Sequence, residues 1–113
     1  MQLRKTYISV GEPWDFIGPD GDNIINGHIM KIISPTCLIF VANYVLNFSQ
    51  YSGDTFILTP RYTNENFSEI LGKGDYFPVN GQVLIDAYAD DMVEAQLKGR
   101  SKFVIIGSIR RVG

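Results

Sequence analysis

Few side chains in this chain are equipped to move a proton or attack a bond. There is one histidine, His28, and one cysteine, Cys37. Histidine titrates closest to neutrality, but catalysis by His28 needs a carboxylate or nucleophile brought to it from elsewhere in the sequence. It stands in a β-prone run, with Asn26 and Met30 on its own face and Gly27 and Ile29 on the other. An ordinary place in a sheet is the simpler reading. Cys37 opens the run Cys37-Leu38-Ile39-Phe40-Val41-Ala42, and a thiol among apolar neighbours is normally inert packing. Asp20-Gly21-Asp22-Asn23 starts like a calcium loop, yet Ile24 stands where the third oxygen ligand belongs and no glutamate closes the loop. A Gly/Asp turn accounts for it. Gly72-Lys73-Gly74 is too short for a phosphate loop and has no Ser or Thr after the lysine. Asp90 and Asp91 are adjacent carboxylates at an expected helix start, where capping and the helix dipole explain them. The sequence therefore assigns no catalytic set, no metal site and no cofactor.

The elements that must position any site are short. The 113 residues are 45% hydrophobic and 19% charged, as in a globular domain, and 1–113 reads as a single one. No apolar run approaches the roughly 20 residues of a membrane-spanning helix. Residues 1–7 carry two basic residues without an apolar stretch behind them, so no secretory signal and no membrane association are expected. A lone cysteine fits a reducing compartment, and the cytoplasm is the expected location.

Strand character is expected over residues 3–10, 24–33, 37–42, 44–48, 55–59, 76–79, 82–88 and 103–109. The stretch 11–23 reads as irregular. Ser34-Pro35-Thr36 reads as a hairpin turn, Ser52-Gly53-Asp54 as another, and Asn43 as a kink. Asn80-Gly81 is the strongest hairpin signal, because Asn-Gly tolerates positive φ at both turn positions. Two short helices are expected, over 64–71 and about 91–98, each with a polar cap and a terminal glycine. The fold class is mainly β (a β-rich α+β protein): a curled antiparallel sheet of seven or eight strands forming a small barrel or sandwich, with two short helices.

Charge is unevenly distributed. Residues 54–94 hold eight acids (Asp54, Glu65, Glu69, Asp75, Asp86, Asp90, Asp91, Glu94) against two bases, Arg61 and Lys73. Residues 98–113 hold five bases and no acid. The acidic run implies a negative face that steers in a basic protein and repels nucleic acid; the alternative is that the basic tail neutralises acids within the fold. A pI of about 5.2 argues against a dedicated nucleic-acid binder. The loop Gly11-Glu12-Pro13-Trp14-Asp15-Phe16 either offers an aromatic anchor or folds back as a plug over the sheet.

In size, acidity and chemical poverty the chain resembles bacterial immunity proteins that neutralise secreted toxins. That resemblance implies a non-catalytic inhibitor whose acidic face occludes a basic toxin such as a nuclease. Its expected partner-binding residues are Glu65, Glu69, Asp75, Asp90, Asp91 and Glu94, with Trp14 or Tyr76 as the aromatic anchor. Two other readings stand beside it. One is a small β-barrel binding a metabolite or sugar, with His28 as a weak catalyst. The other is an assembly module pairing through an exposed edge strand such as 55–59.

Overall fold

A computed structural model describes residues 8–21, 23–48, 50–67, 76–84 and 102–112. They form a closed antiparallel barrel of six strands: β1 (Pro13–Ile17), β2 (Ile24–Ser34), β3 (Cys37–Phe48), β4 (Tyr51–Pro60), β5 (Phe77–Leu84) and β6 (Lys102–Arg111). Each strand pairs with the next, and β1 pairs with β6 to close the cylinder.

Period-2 alternation builds the wall. Trp14 and Phe16 of β1 point inward with Ile29 of β2, Leu38, Phe40 and Ala42 of β3, Phe56 and Leu58 of β4, Phe77, Val79 and Val83 of β5, and Ile109 of β6. The rings interlock: Phe40 meets Phe56 edge-on with centroids 5.5 Å apart, and Phe16 tilts against Phe56 at the same distance. Such pairs add roughly 0.5–1.5 kcal/mol beyond the area they bury. Residues between the inward positions form a second buried cluster of Ile39, Ile57 and Leu84, with Met30 and Cys37 packed against it. At the β2–β3 turn the Ser34 hydroxyl accepts the Thr36 amide at 3.2 Å. Pro35, which has no amide to donate, offers its carbonyl to the Phe67 amide at 2.9 Å.

A barrel this narrow has no room for a side chain at every inward position. At Gly27 a Cβ would sit 2.3 Å from the Val41 carbonyl oxygen and 2.4 Å from the Phe40 ring. Gly81 and Gly107 stand side by side beneath Phe16, Gly81 pairing with Ile105 and Gly107 with Val79. An aromatic ring lying across strand glycines fills the space that their missing side chains leave.

The structure corrects several expectations. The described strands number six, not seven or eight. Asn80 and Gly81 are not a turn; they lie mid-strand in β5, paired with Ile106 and Ile105 on one side and Thr59 and Leu58 on the other. The glycine packs beneath Phe16, and it does not adopt positive φ. Ser52-Gly53-Asp54 is likewise strand, paired with β3. Within the expected irregular stretch 11–23 lies β1, whose alternating Trp14 and Phe16 supply core. The 55–59 segment is not an edge, because β3 and β5 flank it. Ser9 and Val10 are not strand, and the rest of the expected first strand, apart from buried Ile8, lies outside the described residues. Among the described residues Phe67 alone has helical backbone, and no helical element is complete. The second expected helix and most of the first lie outside them.

Candidate functional site

The six strands are unequal in length, and that inequality opens one end of the barrel. β1 is the shortest at five residues, whereas β2 has 11 and β3 has 12. The β1–β6 register stops at Ile17↔Ser108, so Ile105 and Ile106 of β6 run on past the end of β1. The chain then folds back through 18–23, held by the Gly18 amide on the Asn23 carbonyl at 2.8 Å and the Gly21 amide on the Gly18 carbonyl at 3.0 Å. Gly21, at φ 76°, makes this tight return.

On the other side, β2 and β3 part company. Their register ends at Gly27↔Ala42, leaving residues 24–26 of β2 paired only with β1. Against β4, the β3 register jumps from Val41↔Thr55 to Leu46↔Gly53. Residues 43–45 are thus paired on neither side, an extended bulge that re-aims the outer half of β3.

The gap is a half-open cleft of about 590 Å³, lined by Phe16, Ile25, Leu46 and Ile105 as its floor and by Ile24, Tyr44, Ile106, Asn23 and Asn47 as its rim, with Gly18 and Pro19 at one wall. The floor is core: Phe16 is 1% exposed, and the other three pack against the central cluster. The rim is open: Ile24, Tyr44 and Ile106 are 45–51% exposed, and both asparagines are exposed. Among the described residues no charged side chain lines the cleft. Asn23 and Asn47 make no side-chain hydrogen bond among the described residues.

Four charged side chains among the described residues gather on the β1–β6 seam. Asp15, only 6% exposed, accepts Arg110 Nη2 at 2.9 Å and Asn26 Nδ2 at 2.8 Å. Arg110 also donates to the Tyr76 hydroxyl at 3.3 Å and lies 5.7 Å from the Tyr76 ring centroid. The carboxylate and the phenol together raise the Arg110 pKa further above its usual value. One strand end further, Glu12 accepts both Arg111 Nε at 3.2 Å and Trp14 Nε1 at 2.7 Å, and the Arg111 guanidinium stacks 5.0 Å from the Trp14 ring centroid. The basic C-terminal strand therefore does neutralise acids within the fold. The acids that Arg110 and Arg111 meet among the described residues are Glu12 and Asp15 of the N-terminal region.

The eight expected partner-binding residues are not gathered by the described structure into one face. Trp14 is 1% exposed, a core side chain of strand β1 rather than an exposed anchor or a loop folded over the sheet. Tyr76 is 54% exposed but engaged by Arg110. Glu65 is half-buried, with Oε2 shielded from solvent and unpartnered among the described residues. Glu69, Asp75, Asp90, Asp91 and Glu94 lie outside the described residues. Asp54 is buried and accepts the Thr55 hydroxyl at 2.9 Å.

His28 is half-buried on β2, between Pro13 and Val41, and does not line the cleft. Partial burial pushes the Cys37 thiol pKa up, which makes it less reactive. Among the described residues no three His, Cys, Asp or Glu side chains converge as metal ligands, and no helix is long and apolar enough to cross a membrane. The cleft residues Asn23, Tyr44, Asn47, Ile105 and Ile106 were not singled out by sequence. The alternation of Tyr44-Val45-Leu46-Asn47-Phe48 after the Asn43 kink was the one available signal. Compared with known proteins, the chain matches no protein-family model, no curated protein and no solved structure.

Proposed function

We propose that this protein is a non-catalytic binding module, acting in the cytoplasm, whose site is the cleft at the open end of the barrel, and that the ligand seated there is neutral. The observation that carries this reading is the lining by the described residues: an apolar floor of core side chains, and on the rim a tyrosine and two amides that make no side-chain hydrogen bond among those residues, with no charged side chain among them. A cleft of about 590 Å³ falls within the range of ordinary ligand sites. A charged ligand group buried there would lose its water without gaining an ion partner. Asn23 and Asn47 each offer a donor and an acceptor, and Tyr44 offers a ring face and a hydroxyl. Sugars, uncharged metabolites and uncharged polymer segments meet these requirements.

A thermal-shift screen across neutral, anionic and cationic compounds tests the reading. Neutral compounds raise the Tm, and Ile106→Asp, which places a charge on the exposed rim, removes the effect without lowering the Tm of the free protein. Hits dominated by ions, or hits indifferent to Ile106→Asp, would refute it.

The charge run of 54–94 supports a second reading, the inhibitor of a basic toxin, with Glu65, Glu69, Asp75, Asp90, Asp91 and Glu94 as the docking carboxylates. Affinity capture at low and then high salt discriminates the two. A single basic protein released by salt favours the inhibitor; capture insensitive to salt favours the uncharged cleft.

A further inference from the structure

We infer that the occupant of the cleft is a short, extended, uncharged polypeptide segment of another molecule, which joins the barrel as a strand between β2 and β3. The inference rests on the cleft being the binding site and names what fills it.

The two lips of the cleft are strands with one side unused. Residues 24–26 of β2 pair with Ile17, Phe16 and Asp15 and with nothing in β3. Residues 46–48 of β3 pair with Gly53, Ser52 and Tyr51 and with nothing in β2. In an antiparallel ladder, alternate residues turn their N–H and C=O groups to opposite sides. Each lip therefore has main-chain donors and acceptors on its unused side, and residues of both lips line the cleft.

Unpaired strand edges are templates for another strand. Here the template is double, since one inserted segment hydrogen-bonds to both lips at the regular strand repeat. A rigid sugar ring cannot follow that repeat on both sides at once. The inserted segment would also meet the floor with every second side chain. Phe16, Ile25, Leu46 and Ile105 lie beneath it, so the inward residues are apolar and the outward ones polar. Its ends reach Asn23 and Asn47, whose amides make no side-chain hydrogen bond among the described residues and suit main-chain groups beyond the strand pairing. This is strand addition at a break in a sheet, with affinity from the backbone and selectivity from alternate pockets.

The test uses isotope-labelled protein and amide NMR. The first probe is a pool of end-capped, uncharged pentapeptides, apolar at odd positions and Ser, Thr or Asn at even ones. The second is the same pool N-methylated at alternate amides, which removes donors while keeping the side chains. The third is the neutral disaccharide maltose. The first pool is expected to shift the amide resonances of residues 24–26 and 43–47 and slow their hydrogen exchange. N-methylation is expected to weaken binding about tenfold or more, the effect of losing one or two net hydrogen bonds. Equal binding of the methylated pool, or no response to peptides, would overturn the strand inference. If maltose then shifts the same resonances, the neutral-cleft reading survives alone. If the spectrum responds only to charged probes, both fall.

Discussion

Replacing Gly107 by alanine tests whether the floor of the cleft depends on close approach of strands. A Cβ there would lie 2.4 Å from the Ile17 carbonyl oxygen and 2.7 Å from the Phe16 ring, against 3.4 Å or more for ordinary contacts. The nearest atom is backbone, so a rotamer change cannot relieve the clash. β1 must move away from β6 by about 1 Å at the end of its register, beside Ile17↔Ser108. Overpacking of this kind costs about 1–3 kcal/mol, and a backbone obstacle places this case at the upper end. Gly107 is not at positive φ, so alanine regains about 0.4–1 kcal/mol by restricting the unfolded chain. The net loss is about 2 kcal/mol, which for a domain of this size lowers the Tm by about 8 °C. Gly81→Ala is the internal control. Its Cβ meets only side chains, Phe16 at 3.1 Å and Ile105 at 3.2 Å, which can give by a few tenths of an ångström. Its expected effect is within about 0.5 kcal/mol of zero, because the same unfolded-state gain offsets mild crowding. Urea and thermal unfolding of the two variants give the comparison. Equal stabilities would refute the claim that β1 is packed against β6 through Gly107.

Three further outcomes follow from the seam and the core. Trp14 is the chain's one tryptophan, so its emission should be blue-shifted and nearly insensitive to iodide; strong quenching would restore it as a candidate surface anchor. Arg110→Met leaves the Asp15 carboxylate buried with Asn26 alone and is expected to lower the Tm, and adding Asp15→Asn recovers part of that loss. Additive losses in the double-mutant cycle would show that the pair is uncoupled. Cys37 should react with iodoacetamide at pH 8 more slowly than free cysteine. Because its folded pKa is raised, the folded state holds the thiol proton more tightly, so this group's contribution to stability falls as pH rises past its usual value of 9.0. Alkylation as fast as free cysteine, or Cys37→Ala leaving that alkaline decline unchanged, would contradict the burial assigned to it.

The parts of the fold legible in the sequence are those written in local alternation. β2, the turn at Pro35, the first half of β3 and β6 appear there because their apolar residues keep a period of two and their ends carry turn residues. Gly81 and Gly53 misled for one physical reason. A glycine that permits close strand packing has the same letter as a glycine that makes a turn, and only a partner from a distant strand distinguishes them. β1 was hidden because it is just five residues long, opens on Pro13 and is followed at once by Gly18 and Pro19. The cleft was illegible for a deeper reason: it is made by registers that stop, at Gly27↔Ala42 and Ile17↔Ser108, and register belongs to pairs of strands rather than to either one.

The same shortness of β1 links the cleft to the charge pattern. The barrel is closed by its shortest strand, and the β1–β6 register extends only from Trp14↔Arg111 to Ile17↔Ser108. A seam with so little ladder gains most from side-chain cross-links, and both Arg110–Asp15 and Arg111–Glu12 span it. The arginines are thereby committed to holding β1 in place. Lengthening β1 to strengthen the seam would pair it with Gly107 and beyond, drawing the 18–23 loop over Phe16 and Ile105 and covering the floor. The ion pairs secure the closed end of the barrel without adding backbone at the open one. The charge of the C-terminal strand and the absence of charge from the described cleft lining are in this sense two consequences of one five-residue strand.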